Sequence, residues 1–205
     1  MMKKIKRAII SLTDKSGIEN FAKQLNDLGI RILSTGGTAK VMRENGVEVM
    51  DVAEYTGFPE MLDGRVKTLH PKIHAGILAQ RDNAAHEAQM KEQGLNRIDL
   101  IVVNLYAFDK ATADADCTVP NAIENIDIGG PTMLRAAAKN YHDVTVIVDP
   151  ADYPKVISEI KETGNTTLKT RFRLACKVFD LTSRYDTLIS KWLNNVDIDK
   201  DPDLN

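Results

Sequence analysis

The stretch Ala8–Val52, AIISLTDKSGIENFAKQLNDLGIRILSTGGTAKVMRENGVEVMDV, decides the fold. Ala8–Leu12 is a short apolar run rich in β-branched residues and reads as a strand. A helix follows over about Gly17–Leu28, where Ile18, Phe21, Ala22 and Leu25 recur on one face. Gly29 supplies its stop, and Ile30–Ser34 is a second strand. GGTAKVMREN opens another helix, Gly46 ends it, and Val47–Val52 makes a third strand. Continuous apolar strands separated by helices indicate a parallel sheet covered on both faces. The expected architecture is α/β: a three-layer α/β/α domain with a mainly parallel sheet.

Outward from that stretch, Asp99–Val103 (DLIVV) and Val144–Val148 (VTVIV) are the clearest later strands. Ala151–Lys161 reads as a helix, with Pro154 still in its first turn, where proline is tolerated. A second helix is expected from about Thr167 to Trp192, from Phe172, Ala175, Cys176, Phe179, Leu188 and Trp192 at roughly helical spacing. The last residues, 196–205, hold four aspartates without useful periodicity and read as an acidic tail or linker. Residues 1–195 are then one domain.

A chain of 205 residues is long enough to bury a sizeable core. A formal charge of −2 argues against gripping nucleic acid by global charge, so basic residues matter only where they cluster. Cys117 and Cys176 are isolated, which disfavours a disulfide scaffold or structural zinc. The basic start MMKKIKRAIISL resembles a secretory leader, but its apolar run is too short and TDKSG follows at once. No run approaches the ~20 apolar residues of a membrane span. The expectation is a cytoplasmic protein with no membrane and no nucleic-acid partner.

In an open parallel sheet, ligands bind at the carboxyl ends of the strands. There the sequence sets TDKSG (Thr13–Gly17), STGGT (Ser34–Thr38) and NLYAF (Asn104–Phe108). The glycine pair of STGGT lets backbone approach an anion closely, Thr35 and Thr38 add hydroxyls, and the next helix aims its N–H groups at the same place. It is neither a P-loop nor a GxGxxG dinucleotide turn, and a plain tight turn explains it equally well. Lys15 sits on a neighbouring helix entrance, where a surface lysine is also ordinary.

DGRVKTLHPKIHAGIL (Asp63–Leu78) gathers Arg65, Lys67, Lys72, His70 and His74 around Thr68 with one carboxylate. The His70/His74 spacing suggests a metal pair, but Pro71 breaks into the helix and no third ligand is apparent, so no metal is expected. Arg65, Lys67 and Thr68 read as anion donors, or as a solvated basic loop. In ENIDIGGPTMLRAAAKN (Glu124–Asn140), Asp127 precedes a glycine turn and a helix with Pro131 in its first turn. Lys139 falls near that helix's end, where it also suits the dipole.

Together, SLTDKSG, STGGTAK, TGFPEMLDGRVKTLHPKIHAGIL, NLY and ENIDIGGPTMLRAAAKN resemble the IMP cyclohydrolase domain of the bifunctional AICAR transformylase/IMP cyclohydrolase family. The resemblance runs in order from about Arg7 to Leu193. It implies a methylglyoxal synthase-like fold and a reaction without metal or cofactor. In that reaction the carboxamide nitrogen of FAICAR (5-formamidoimidazole-4-carboxamide ribotide) attacks the formyl carbon, and loss of water gives inosine monophosphate (IMP). It also implies nucleotide contacts from Thr13, Asp14 and Lys15, from Thr35, Gly36, Gly37 and Thr38, and from Arg65, Val66, Lys67 and Thr68. Asn104 and Leu105 would hold the base and carboxamide. Lys67, Tyr106 and the Ile128 backbone would stabilise the developing oxyanion, each donor worth roughly 10²–10³ in rate. Lys139 would transfer protons with Asp127 as partner; Lys67 nearby would lower its pKa and Asp127 would raise it.

Thr13 stands where the family usually has serine, and Ala107 where proline is usual, which predicts a looser loop after Tyr106. The family's formyltransferase domain is absent from this sequence, which reads as an excised fragment or a stand-alone cyclohydrolase, so no transformylase activity is expected and a functional link to an AICAR formyltransferase is implied. A homodimer is implied, with the C-terminal helix as a candidate surface. The competing readings are methylglyoxal synthase and a nucleotide-binding module without turnover, both on the same fold.

Overall fold

The structure, a computed structural model, describes residues 4–114 and 116–199. The first half runs β1 (Arg7–Ser11), α1 (Ile18–Asp27), β2 (Arg31–Ser34), α2 (Gly36–Glu44), β3 (Val49–Asp51) and α3 (Val52–Thr56). Then come α4 (Pro71–Leu78), α5 (Ala84–Glu92), β4 (Leu100–Val103), α6 (Phe108–Ala111) and α7 (Val119–Glu124). The chain continues through α8 (Gly129–Lys139), β5 (Thr145–Ile147), a 3₁₀ turn (Pro150–Asp152), α9 (Tyr153–Thr163) and α10 (Leu168–Asn194). Residues 200–205 of the acidic tail lie outside the described residues.

Every strand pair is parallel, in the order β3-β2-β1-β4-β5. β1 and β4 sit in the middle, and Ala8, Ile9, Ile10 and Leu100–Val103 are buried on both faces, as a parallel sheet covered by helices requires. α1 packs against α2 and α9, while α8 packs against α4 and α10, giving three layers. The order reverses between β1 and β4, so the crevice beyond their carboxyl ends is the topological switch point.

The strand expectations hold to within one or two residues at each end. Two helices differ. The stretch expected to be helical from Ala151 starts as a 3₁₀ turn, in which Ala151 N–H donates to the Asp149 carboxylate (2.9 Å), and α9 begins only at Tyr153. α10 runs two residues past Trp192, and its buried face is Leu174, Ala175, Val178 and Tyr185. Phe172, Phe179 and Leu188, expected on the packed face, are exposed because the helix's buried stripe is rotated away from them.

Beneath the sheet's amino ends, Arg81 and Asp99 form a buried ion pair (2.6 Å). The second Asp99 oxygen accepts the backbone N–H groups of Lys6 (2.7 Å) and Arg7 (3.0 Å), so one carboxylate ties β1 to β4 and to the segment after α4. Among the described residues, no helix is long and apolar enough to cross a membrane.

Candidate functional site

A cavity of about 670 Å³ opens at the switch point, lined from β1 and β4 by Ser11, Leu12, Val103 and Asn104. Three further segments complete it: the glycine turn before α2, the basic segment before α4, and the turn into α8.

At one end, Gly36 takes a left-handed φ of 48° and opens α2, so the first N–H groups of that helix are directed at the cavity. A side chain on Gly37 would come within 3.7 Å of the Lys15 Cε, which places the lysine directly over the turn. Lys15 Nζ reaches the Thr13 carbonyl (3.2 Å). Thr13, Lys15, Thr35, Gly36 and Gly37 thus meet as one anion-sized cradle.

Three of the expected contacts are otherwise engaged. The Thr38 hydroxyl accepts from Leu12 N–H (2.9 Å) and donates to the Leu12 carbonyl (3.0 Å), so it fastens α2 to β1 and is not available to a ligand. The Asn104 carboxamide accepts from Thr13 and Asp14 N–H (2.6 and 3.2 Å) and donates to the Asp14 carbonyl (2.7 Å), holding the loop rather than projecting to a base. Asp14 itself turns away and accepts from the Ser16 hydroxyl (2.5 Å) and N–H, which keep its carboxyl below the usual range.

The basic segment forms a strap. Met61 and Val66 exchange backbone hydrogen bonds (3.1 and 3.2 Å), and the chain reverses through left-handed Leu62, Asp63 and Gly64, with φ of 55°, 52° and 89°. This pairing leaves Val66 off the cavity wall while Arg65, Lys67 and Thr68 line it. Arg65 pairs with Glu124 at the end of α7, and that guanidinium holds the Glu124 carboxyl low. Lys67 pairs with Glu60 (3.1 Å). Both cations therefore carry internal carboxylate partners. Thr68 is buried where a side chain on Gly129 would come within 2.6 Å of its hydroxyl, so only glycine lets strap and α8 approach this closely.

On the far wall is Asp127. Its Oδ1 accepts from Gly130 N–H (2.9 Å), a second backbone bond comes from Tyr106, and its own N–H donates to the Tyr185 hydroxyl (2.8 Å). Burial outweighs those N–H bonds and pushes its carboxyl above the usual range. An acid whose burial favours its protonated form thus stands in the cavity beside the exposed Tyr106 ring and the Ile128 turn. A side chain on Gly130 would meet Asp127 Oδ2 at 2.5 Å, so the carboxylate position depends on that glycine.

Two of the expected site residues stand apart from the cavity lining. Lys139 is the last residue of α8, exposed, and does not line the cavity. Eleven residues at the helical rise put it roughly 15 Å from the end of α8 that faces the ligand, so it stands near neither Asp127 nor Lys67. Leu105 is a core side chain against Gly130. The histidines do not form a pair: His70 caps α4, its Nδ1 accepting from Lys72 N–H (3.1 Å), while His74 lies inside the helix that Pro71 begins. After Tyr106 the chain passes through Ala107 straight into the single turn of α6.

Glu124, Glu60 and Tyr185 were not anticipated. Each acts through a partner remote in sequence or across a loop; Glu60 and Glu124 lie within the quoted TGFPEMLDG and ENIDIGG stretches, and Tyr185 lies in none of them.

The fold and this crevice define the class of protein. Residues 17–132 match the family model of the MGS-like domain, and residues 137–204 match that of the AICARFT/IMPCHase bienzyme. Among solved structures, that of ForH superposes with a TM-score of 0.79 at 35% sequence identity, covering 92% of this chain and 98% of that one. The chain belongs to the MGS-like domain family, and its C-terminal part is similar to the AICARFT/IMPCHase bienzyme.

Proposed function

We propose that this protein is an IMP cyclohydrolase, closing FAICAR to inosine monophosphate with loss of water, as the last step of purine ring assembly. The observation that carries the reading is the buried Asp127, its carboxyl pushed up by burial, on one wall of a cavity whose opposite end can cradle an anion. In this reading the 5′-phosphate sits between the glycine turn, Lys15 and the Thr13 and Thr35 hydroxyls. Arg65 and Lys67 turn from their carboxylates toward the ligand.

Ring closure needs a proton taken from the carboxamide nitrogen and charge stabilised on the formyl oxygen. That oxygen then leaves as water, so it must also gain a proton. Asp127, whose burial brings its carboxyl toward neutrality, suits the exchange of a proton with the carbinolamine oxygen. Lys67, the Tyr106 hydroxyl and the N–H groups at the Ile128 turn are the donors for the oxyanion. Lys139 has no role in this account, because it is on the other end of its helix.

Self-association over the exposed Phe172 and Phe179 of α10, and a functional link to an AICAR formyltransferase that supplies FAICAR, belong to the same proposal. The test is incubation with FAICAR, following IMP by ultraviolet absorbance. Turnover that disappears in Asp127→Asn and Lys67→Ala supports it. Tight IMP binding without turnover would instead favour a nucleotide-binding module, and methylglyoxal from dihydroxyacetone phosphate would favour methylglyoxal synthase.

A further inference from the structure

A second cavity, of about 350 Å³, lies at the opposite end of the sheet. It is lined by residues that begin the strands, Arg7, Arg31 and Glu48, with Tyr55 of α3 and Asn96 before β4. Its apolar wall is Ile30, Leu33 and Met50. None of these residues belongs to the site at the carboxyl ends.

Arg7 and Arg31 are direct partners in the parallel register of β1 and β2, so two guanidinium side chains leave the same face of adjacent strands, roughly 4.8 Å apart at the backbone. Like charges directly opposite one another are destabilising in a sheet. Arg7 is only 6% exposed, yet it has no carboxylate in ion-pair contact among the described residues. Its Nη1 donates to the Arg97 carbonyl (2.6 Å), and its guanidinium lies over the Tyr55 ring (5.7 Å). Asp99, the acid next to it, spends one oxygen on the Arg81 guanidinium and the other on backbone N–H groups. Glu48 is at the exposed rim. Burying a cation without an ionic partner is costly, and a second cation beside it adds to the cost. Both arginines line the cavity, and Arg31 has no carboxylate in ion-pair contact among the described residues.

We propose that this cavity is a second ligand site, which takes a small flat aromatic anion. Its carboxylate or phosphate group is held by the Arg7–Arg31 pair and its ring lies against Met50 and Leu33. A guanidinium fork matches such a group bidentately. The Tyr55 ring, already stacked on Arg7, keeps the fork planar and in place. The volume suits one ring with one anionic group, at the small end of ligand pockets.

The test uses the intact chain labelled with ¹³C at the methionine methyls. The Met50 signal, assigned with Met50→Leu, is followed against phenyl phosphate, benzoate and inorganic phosphate. Saturable shifts of Met50 are expected with either aromatic anion, and a weaker response to inorganic phosphate. Arg31→Gln, at an exposed position, should weaken the aromatic anions by about tenfold and leave FAICAR turnover unchanged. Lys15→Ala should leave the Met50 titration intact, which separates this site from the nucleotide cradle whatever the cradle binds. Absence of a saturable Met50 shift, an unchanged affinity in Arg31→Gln, or loss of the shift in Lys15→Ala would each overturn the proposal.

Discussion

The Arg65 guanidinium closes on the Glu124 carboxylate and ties the strap before α4 to the end of α7 at the mouth of the main cavity. Because the pair is exposed, it holds the strap weakly, and an incoming phosphate competes with Glu124 for the same guanidinium. Glu124→Gln should therefore tighten IMP binding by up to about fivefold. The advantage should shrink as salt screens the competing charge. Calorimetric titration at low and high salt measures this; weaker binding in the variant would mean that Glu124 itself holds the ligand.

Gly130→Ala tests the close approach that sets Asp127. Alanine normally favours a helix over glycine by about 0.5–1 kcal/mol. Here its Cβ would meet Asp127 Oδ2 at 2.5 Å and Leu105 Cδ2 at 3.0 Å, so the carboxylate must move. FAICAR turnover should fall by about 10²-fold or more, the worth of a positioned acid–base group. The circular dichroism spectrum should stay native. Wild-type turnover in the variant would separate Asp127 from the chemistry.

Lys67 and Lys139 should behave oppositely. Lys67 lines the cavity, and Lys67→Ala should lose about 10²-fold in turnover. Lys139→Ala, at the exposed end of α8, should stay within about threefold of wild type, as surface substitutions usually do. A collapse in Lys139→Ala would require that lysine to enter a cavity from another copy of the chain, and activity would then depend on protein concentration.

Much of the architecture was legible because its signals are local. Ala8–Ile10 and Leu100–Val103 are apolar without interruption because both faces of β1 and β4 are covered, and Gly29 and Gly46 punctuate the helices before β2 and β3. The glycine turn, Lys15 and the strap, singled out by their local composition, do line one cavity. What escaped was partnership over distance. Thr38 bonds a backbone 26 residues away, Arg65 an acid 59 away and Asp127 a tyrosine 58 away. Lys139 was expected in the site through the resemblance alone, and the eleven residues of α8 set it at the end away from Asp127.

Asp99 predicts the largest loss of stability. Asp99→Ala removes the partner of a buried guanidinium and leaves two strand N–H groups without their acceptor. Breaking a buried pair from one side costs about 3–5 kcal/mol, which urea denaturation should register as a lower midpoint with an unchanged slope. A loss below about 1 kcal/mol would show that water replaces the carboxylate.

Asp127 couples stability and activity with opposite signs. Its folded pKa is raised by burial, so the folded state binds the proton more tightly than the unfolded state does. The stability it contributes is fully present below the ordinary aspartate pKa and is lost as pH rises through the elevated folded value. Above that value the ionised carboxylate is a net cost. Asp127→Asn keeps an oxygen for the Gly130 N–H and removes that charge, so it should melt at or above the wild-type temperature at pH 7. The comparison should move in favour of wild type as pH falls through the elevated value. Turnover should nevertheless drop by about 10²–10⁴-fold, because a carboxamide holds no transferable proton at that position. Melting curves of both proteins across the acidic range, read beside FAICAR turnover, measure the two effects together. A variant that is less stable at pH 7 and gains on wild type toward acid would reverse the sign and show that Asp127 is held as a favourable carboxylate.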